Sequence, residues 1–293
     1  MASSPDDHLP SESIMLEAVS EDGSTAFGAR ICRYPSAGLA WIWVHALVAG
    51  RFYSFNSNEE AFESASESTP VDGIVSFQRD AARFWTERRV DGSDRLAASL
   101  DVAVPAHRDP HAPQTDGAVE LRIRASFLSD ADPGSTRQGR LEALGTVDAA
   151  MEVDGRRASV YALGHWHQQI QGHPRFRQAF TYASLRGREA SAVAVVRGSD
   201  AAGFWDSGGQ RRAIVSASFG PVGANRVIEF GLDDGSKVRG SADVLCTYSV
   251  PIYAVRRPGS LVRATLGGAE LTGSINDYDP SRTICFPNAA GVV

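Results

Sequence analysis

The sequence predicts an all-β protein made of two packed antiparallel units. Three observations carry this expectation. Segments in which apolar and polar residues alternate recur along the chain, the rhythm of strands with one dry and one wet face. Asp-Gly pairs at Asp154–Gly155 and Asp234–Gly235 stand between such segments, the pair best suited to tight hairpin turns. The strand–helix–strand spacing of a parallel sheet does not occur. Strands on this pattern number roughly a dozen or more over 293 residues, too many for one small barrel.

In chain order, the first dozen residues read as a loose tail. Residues 14–34 form two short strands around a turn at 21–23. The stretch LAWIWVHALVAGRFYSFNS is a long strand or hairpin, because β-branched and aromatic residues suit a strand better than a helix. Trp41, Trp43 and His45 share one of its faces; Tyr53 and Phe55 share another. Only residues 77–90, FQRDAARFWTERRV, have a helical rhythm, and they fit a strand equally well. Alternating strands return at 117–130, 139–169, 189–198, 212–220, 225–253 and 260–275. The turn-rich residues 186–210 place a division near 190, with units at 13–190 and 191–293. The loop at 105–117 is the alternative division.

Composition excludes several classes. Acidic residues number 35 against 29 basic ones, net charge −6, with no long basic block, which argues against a nucleic-acid partner. No apolar run is long enough to span a bilayer as a helix. The N-terminus has no basic start or apolar signal core, so a cytoplasmic location is expected. Cys32, Cys246 and Cys285 lack CxxC spacing, so neither a disulfide framework nor a cysteine zinc site is expected. The glycine-rich stretches match neither GxGxxG nor a phosphate-binding loop, and no nucleotide cofactor is expected.

Reactive residues are densest in ALGHWHQQIQGHPRFRQAFTYASLRG, residues 162–187. On a strand, His165 and His167 project to one side. Together with His173 they suit general acid–base work or a buried structural network. An HxH pair without a nearby carboxylate or cysteine is a weak metal site, and none is expected. Near the C-terminus, Asp277 or Glu270 can supply the missing acid, beside Asn276 and Tyr278.

The passage TVDAAMEVDGRRASVYALGHWHQQ, with its VDG hairpin leading to a His/Trp segment, resembles the midpoint of the carotenoid 1,2-hydratase and AttH-like superfamily. The order around it is similar too: an early Trp-rich strand, then FTYASLRG, then a last unit ending in a polar Tyr segment. Residue by residue the match is partial. His167 takes the family histidine position, Trp166 stands where an acid is usual, and Gln168, Gln169 and Ile170 replace a small–Trp–Gly run. The resemblance implies two lipocalin-like barrels and a bulky isoprenoid or polyketide-like substrate. It implies hydration, dehydration or cyclisation without a cofactor.

On this reading His167 and His165 are the acid and base and Asp277 is the remote carboxylate. Trp41, Trp43, Trp166 and Tyr182 stabilise positive charge, and Gln168 and Gln169 position oxygen atoms. His45, Tyr53 and Tyr278 complete the substrate lining. The competing readings are a non-catalytic lipocalin-like binding protein with the same cavity, and a β-domain interaction protein with none. The expected partner is a hydrophobic small molecule, and a homodimer is left open.

Overall fold

The computed structural model describes residues 11–61, 73–79, 82–90, 95–109, 111, 117–130, 133, 139–172, 176, 178–252 and 255–281. His173 and Cys285 lie outside them.

The N-terminal sheet holds β1 (Ser11–Val19), β2 (Ala26–Tyr34), β3 (Leu39–Val48), β4 (Arg51–Ala61) and β5 (Gly73–Arg79). It continues with β6 (Ala82–Val90), β7 (Leu96–Ala106), β8 (Val119–Ser129), β9 (Arg140–Val153) and β10 (Arg156–Gln171). Their spatial order is β4-β3-β2-β1-β10-β9-β8-β7-β6-β5. A bridge between Ser54 and His107 joins β4 to the end of β7, so this sheet is curled into a half-barrel. Of the residues with helical rhythm, 77–79 lie in β5 and 82–90 form β6, paired antiparallel. Aromatic and β-branched side chains again favour the strand.

The second sheet is a closed barrel of β11 (Phe180–Arg186), β12 (Ala190–Arg197), β13 (Asp200–Ser207), β14 (Gln210–Phe219), β15 (Asn225–Leu232), β16 (Lys237–Ile252), β17 (Val255–Leu266) and β18 (Ala269–Tyr278). Pairing of β11 with β18 closes it, which leaves no open edge. The sheets change between Gln171 and Phe180. Residues 180–186, N-terminal to the division expected at 190, therefore hydrogen-bond within the C-terminal barrel. The chain is all-β, with one closed and one half-closed unit of lipocalin-like form.

Alternation decides what each strand contributes. In β1, Ile14, Leu16 and Ala18 enter the N-terminal core; in β3, Ile42, Val44 and Ala46 do so; in β10, Val160 and Trp166. The opposite faces of these strands carry Glu17, Trp41, Trp43, His45, His165 and His167. The barrel has its own interior around Leu185, Trp205, Phe230, Val262 and Ile275. Between the units, Trp41, Trp43 and Phe176 pack with Tyr248, Val250, Leu261 and Tyr278. That seam buries large aromatic area, a main source of adhesion between the units.

Two glycines let rings meet across the seam. A Cβ on Gly28 would come within 2.4 Å of the His45 ring, and one on Gly259 within 2.3 Å of the Tyr248 ring. Each ring therefore lies directly over glycine backbone, and the two stack at 4.4 Å between centroids.

Candidate active site at the seam

The β9–β10 hairpin builds the centre of the site. Its turn uses Asp154 at φ 51° and Gly155 at φ 70°, the left-handed pair that fits hairpin twist. Pairing outward from this turn sets Glu142 opposite His167 and Leu144 opposite His165. β1 lies on the other side of β10 and sets Glu17 opposite His165.

One oxygen of Glu142 gathers three partners. Oε2 lies 2.8 Å from His165 Nε2 and 2.9 Å from His167 Nδ1, and accepts the Tyr182 hydroxyl at 3.1 Å. Arg140 approaches the other oxygen at 3.3 Å. On the far side of His165, Nδ1 is 3.5 Å from Glu17 Oε1. Glu17 also meets Arg186 at 3.4 Å and accepts the Ser274 hydroxyl at 3.1 and 3.0 Å. Ser274 accepts from Asn276 at 3.4 Å, and Asn276 accepts from the Tyr248 hydroxyl at 3.0 Å. A continuous polar chain thus crosses from one unit to the other. Glu142 and His165 have no solvent exposure.

The charges follow from this geometry. Burial opposes ionisation of Glu142, but the pull of His167 and Arg140 and the hydrogen bonds from both histidines outweigh it and hold the carboxyl well below its usual range. Burial likewise opposes ionisation of Glu17. The His165 hydrogen bond and the Arg186 charge overcome it and draw the carboxyl to about 2. Burial lowers His165, yet the hydrogen bonds and charges of two carboxylates raise it overall, which favours the imidazolium. His167 has only Glu142, and burial brings it to about 3, so it is neutral. Burial and the Glu142 charge keep Tyr182 a phenol, with its pKa well above the ordinary value. A neutral His167 that bonds a carboxylate through Nδ1 carries its proton there, which leaves Nε2 as the basic nitrogen.

His167 and Tyr182 line a small cavity of about 50 Å³ with Arg140, Gln169, Asn276 and the rings of Phe176 and Phe180. Arg186, at the other end of the chain, lines a larger cleft of about 870 Å³. Among the described residues, no group of three or more His, Cys, Asp or Glu is arranged to hold a metal.

The sequence-derived candidates divide into two sets. His165, His167 and Tyr182 meet at Glu142. Gln169 joins the cavity and donates to Gln171 at 2.5 Å. Trp41, Trp43 and Tyr278 lie in the adjoining aromatic seam. His45 stacks with Phe52 and Tyr248 there, and burial lowers it to about 4. Trp166 and Tyr53 instead fill the N-terminal core, on the faces of β10 and β4 away from the histidines. Gln168 shares the Trp166 side and accepts from Arg88 at 2.8 Å.

Asp277 is not the carboxylate of this cluster. It pairs with buried Arg226 at 2.7 and 3.1 Å and accepts from Thr181, an ion pair of the barrel itself. Strand parity explains the difference: Ile275 points into the barrel, Asp277 follows it, and Asn276 faces the seam. The carboxylates that serve the histidines, Glu142 and Glu17, were not among the expected residues. Glu270 lines the larger cleft.

A curled half-barrel against a closed barrel, with a buried acid–histidine chain in the seam, defines a two-barrel, lipocalin-like protein. Solved structures share that architecture. A Nitrosomonas europaea protein with a provisional AttH designation superimposes with a TM-score of 0.61 at 10% identity, over 93% of each chain. CghA with Sch210972 superimposes with a TM-score of 0.54 at 11% identity, over 92% of this chain and 88% of that one. The resemblance legible in the sequence therefore holds for the fold. No protein-family model matches the sequence, and no curated protein matches it significantly.

Proposed function

We propose that this protein is a cofactor-independent proton-transfer enzyme, a hydratase, dehydratase or cyclase acting on a hydrophobic small molecule at the seam. The observation that carries this reading is the place of His167, with Nδ1 2.9 Å from Glu142 Oε2 and its ring on the wall of a cavity. Its Nε2 is the base. In hydration, His167 takes a proton from water as the oxygen bonds to one alkene carbon. The π pair moves to the neighbouring carbon, and the same imidazolium returns the proton there. Dehydration is the reverse, and the sum adds or removes one water. Glu142 stabilises the transient imidazolium, and Tyr182 stands beside it as a hydrogen-bond donor. His165, Glu17 and Arg186 position Glu142 rather than touch substrate.

The fold likeness to CghA, seen with a bound small molecule, supports a ligand at this seam by analogy. Cys246 is a free thiol, which supports a cytoplasmic setting. The acidic balance supports a small-molecule partner over a nucleic acid.

The test is turnover in oxygen-18 water. Wild type and His167→Gln are incubated with apolar metabolite extract and followed by mass spectrometry. Gain of one labelled water, loss of one unlabelled water, or an isomer of unchanged mass, produced by wild type alone, supports the reading. Equal conversion by both, or ligand binding without conversion by either, contradicts it.

A further inference from the structure

Four strands of the seam, β1, β10, β11 and β18, carry the same three-layer pattern. At one end Met15, His167, Tyr182 and Asn276 line the small cavity. At the other end Val19, Leu163, Arg186 and Thr272 line the cleft of about 870 Å³. Between them, two residues from either end on the same strand faces, lie Glu17, His165, Ser184 and Ser274, all at 3% exposure or less. Strand pairing keeps this layer level, with Glu17 opposite His165 and Ser184 opposite Ser274. Four residues of strand separate the two openings, about 13 Å.

The middle layer leaves polar groups unsatisfied. Ser184 Oγ and Arg186 Nη1 are buried with no hydrogen-bond partner among the described residues, and His165 Nδ1 has only the 3.5 Å approach of Glu17. Arg186 reaches Glu17 at 3.4 Å, long for a charge-assisted bond. An unsatisfied buried hydroxyl costs about 1–3 kcal/mol, which alanine at residue 184 would avoid. Buried groups of this kind are the partners of internal water, and all three stand where the layer adjoins the cleft.

We propose that this layer is a proton passage: His165 exchanges its Nδ1 proton with water of the cleft by way of Ser184, while the opposite opening serves substrate. Its use in turnover rests on the proposed function. When His167 takes a proton, Glu142 comes to lie between two imidazolium rings in a buried site, a costly excess of positive charge. His165 then releases one proton from Nδ1 towards the cleft as His167 gains one at Nε2. When His167 returns its proton to substrate, His165 takes one back from the cleft. The charge of the cluster stays constant, and over a turnover no proton is gained or lost. Glu17 remains ionised beside Arg186 and Ser274 and holds Nδ1 in place. His165 acts through Glu142 and is a positioning residue.

The test is exchange of the His165 Nδ1 proton with water, read by saturation transfer in nitrogen-15 NMR of the full chain without substrate. Wild type is expected to exchange at a rate that low urea leaves unchanged, because no unfolding is needed. Ser184→Ala is expected to slow exchange at least about tenfold, the loss of one hydrogen-bonded link. Its stability in urea is expected to stay within about 1 kcal/mol of wild type, since the hydroxyl has no partner to lose. Leu163→Trp, which narrows the cleft from a half-buried position, is expected to slow exchange as well. Equal rates in Ser184→Ala and wild type overturn the proposal, as does wild-type exchange that rises with urea in step with unfolding. A larger stability loss in Ser184→Ala overturns it too, because the hydroxyl would then be structural, as does an unchanged rate in folded Leu163→Trp. No arm requires turnover. Unchanged turnover in His167→Gln would therefore defeat the proposed reaction and leave the exchange itself standing.

Discussion

Replacing Glu142 by Gln keeps the shape of the site and removes one charge. In the native protein His165, His167 and Tyr182 all bond Oε2, at 2.8, 2.9 and 3.1 Å. A charge-assisted bond exceeds a neutral one by about 1 kcal/mol, so three such bonds lose about 3 kcal/mol. Arg140, at 3.3 Å, loses its carboxylate partner as well. The expected destabilisation is about 3–5 kcal/mol, the usual cost of removing one member of a buried ion pair. Release of the His165 proton would keep the loss towards the lower figure. Urea unfolding measures it as a fall in midpoint at constant slope. Glu120→Gln is the control, because its 2.8 Å contact with Arg122 is exposed on both sides; it should change stability by less than about 1 kcal/mol. A Glu142→Gln protein within about 1 kcal/mol of wild type would refute the charge assignment of the cluster.

Other expectations follow from the same geometry. Glu17 sits at about 2 in the fold against an ordinary 4.5, so it adds stability above pH 4.5 that disappears as pH falls towards 2. The shift corresponds to about 3 kcal/mol, and Glu17→Gln should flatten that part of the stability–pH curve in urea melts. His167 is also depressed, from 6.5 to about 3, so the unfolded chain takes up its proton first. Stability should therefore already decline below pH 6.5, and His167→Gln should lessen that early decline. Asp277→Asn breaks the Arg226 pair inside the barrel; it should lower stability by about 3 kcal/mol in the same urea melts. Trp41→Ala should cost about 3–5 kcal/mol in the same melts, because Trp41 is 1% exposed and stacks on Phe176 across the seam.

Much of the fold was legible because strand parity and turn chemistry are local. The Asp154–Gly155 turn and the alternation of β10 together placed His165 and His167 on one face. The same turn also contained Glu142: counting back from it pairs Glu142 with His167, a register that local sequence specifies. Glu17 left a weaker trace, a lone acid inside the apolar run IMLEAV. Its meeting with His165 depends on β1 pairing with β10, a contact between the first and last strands of the N-terminal sheet that no local pattern encodes. Asp277 was misplaced for a related reason, since nothing local told which face of β18 turns towards the seam. Trp166 and Tyr53 showed their aromatic character but not the side on which the half-barrel closes.

The central claim is a division of labour between two neighbouring histidines on one carboxylate. Nitrogen-15 NMR of the imidazoles at neutral pH tests it most directly, with His165→Gln and His167→Gln to assign the signals. The account predicts that His165 carries protons on both nitrogens, while His167 is neutral and protonated on Nδ1 alone. A charged His167, or a neutral one protonated on Nε2, would contradict it, because the cavity would then face no base.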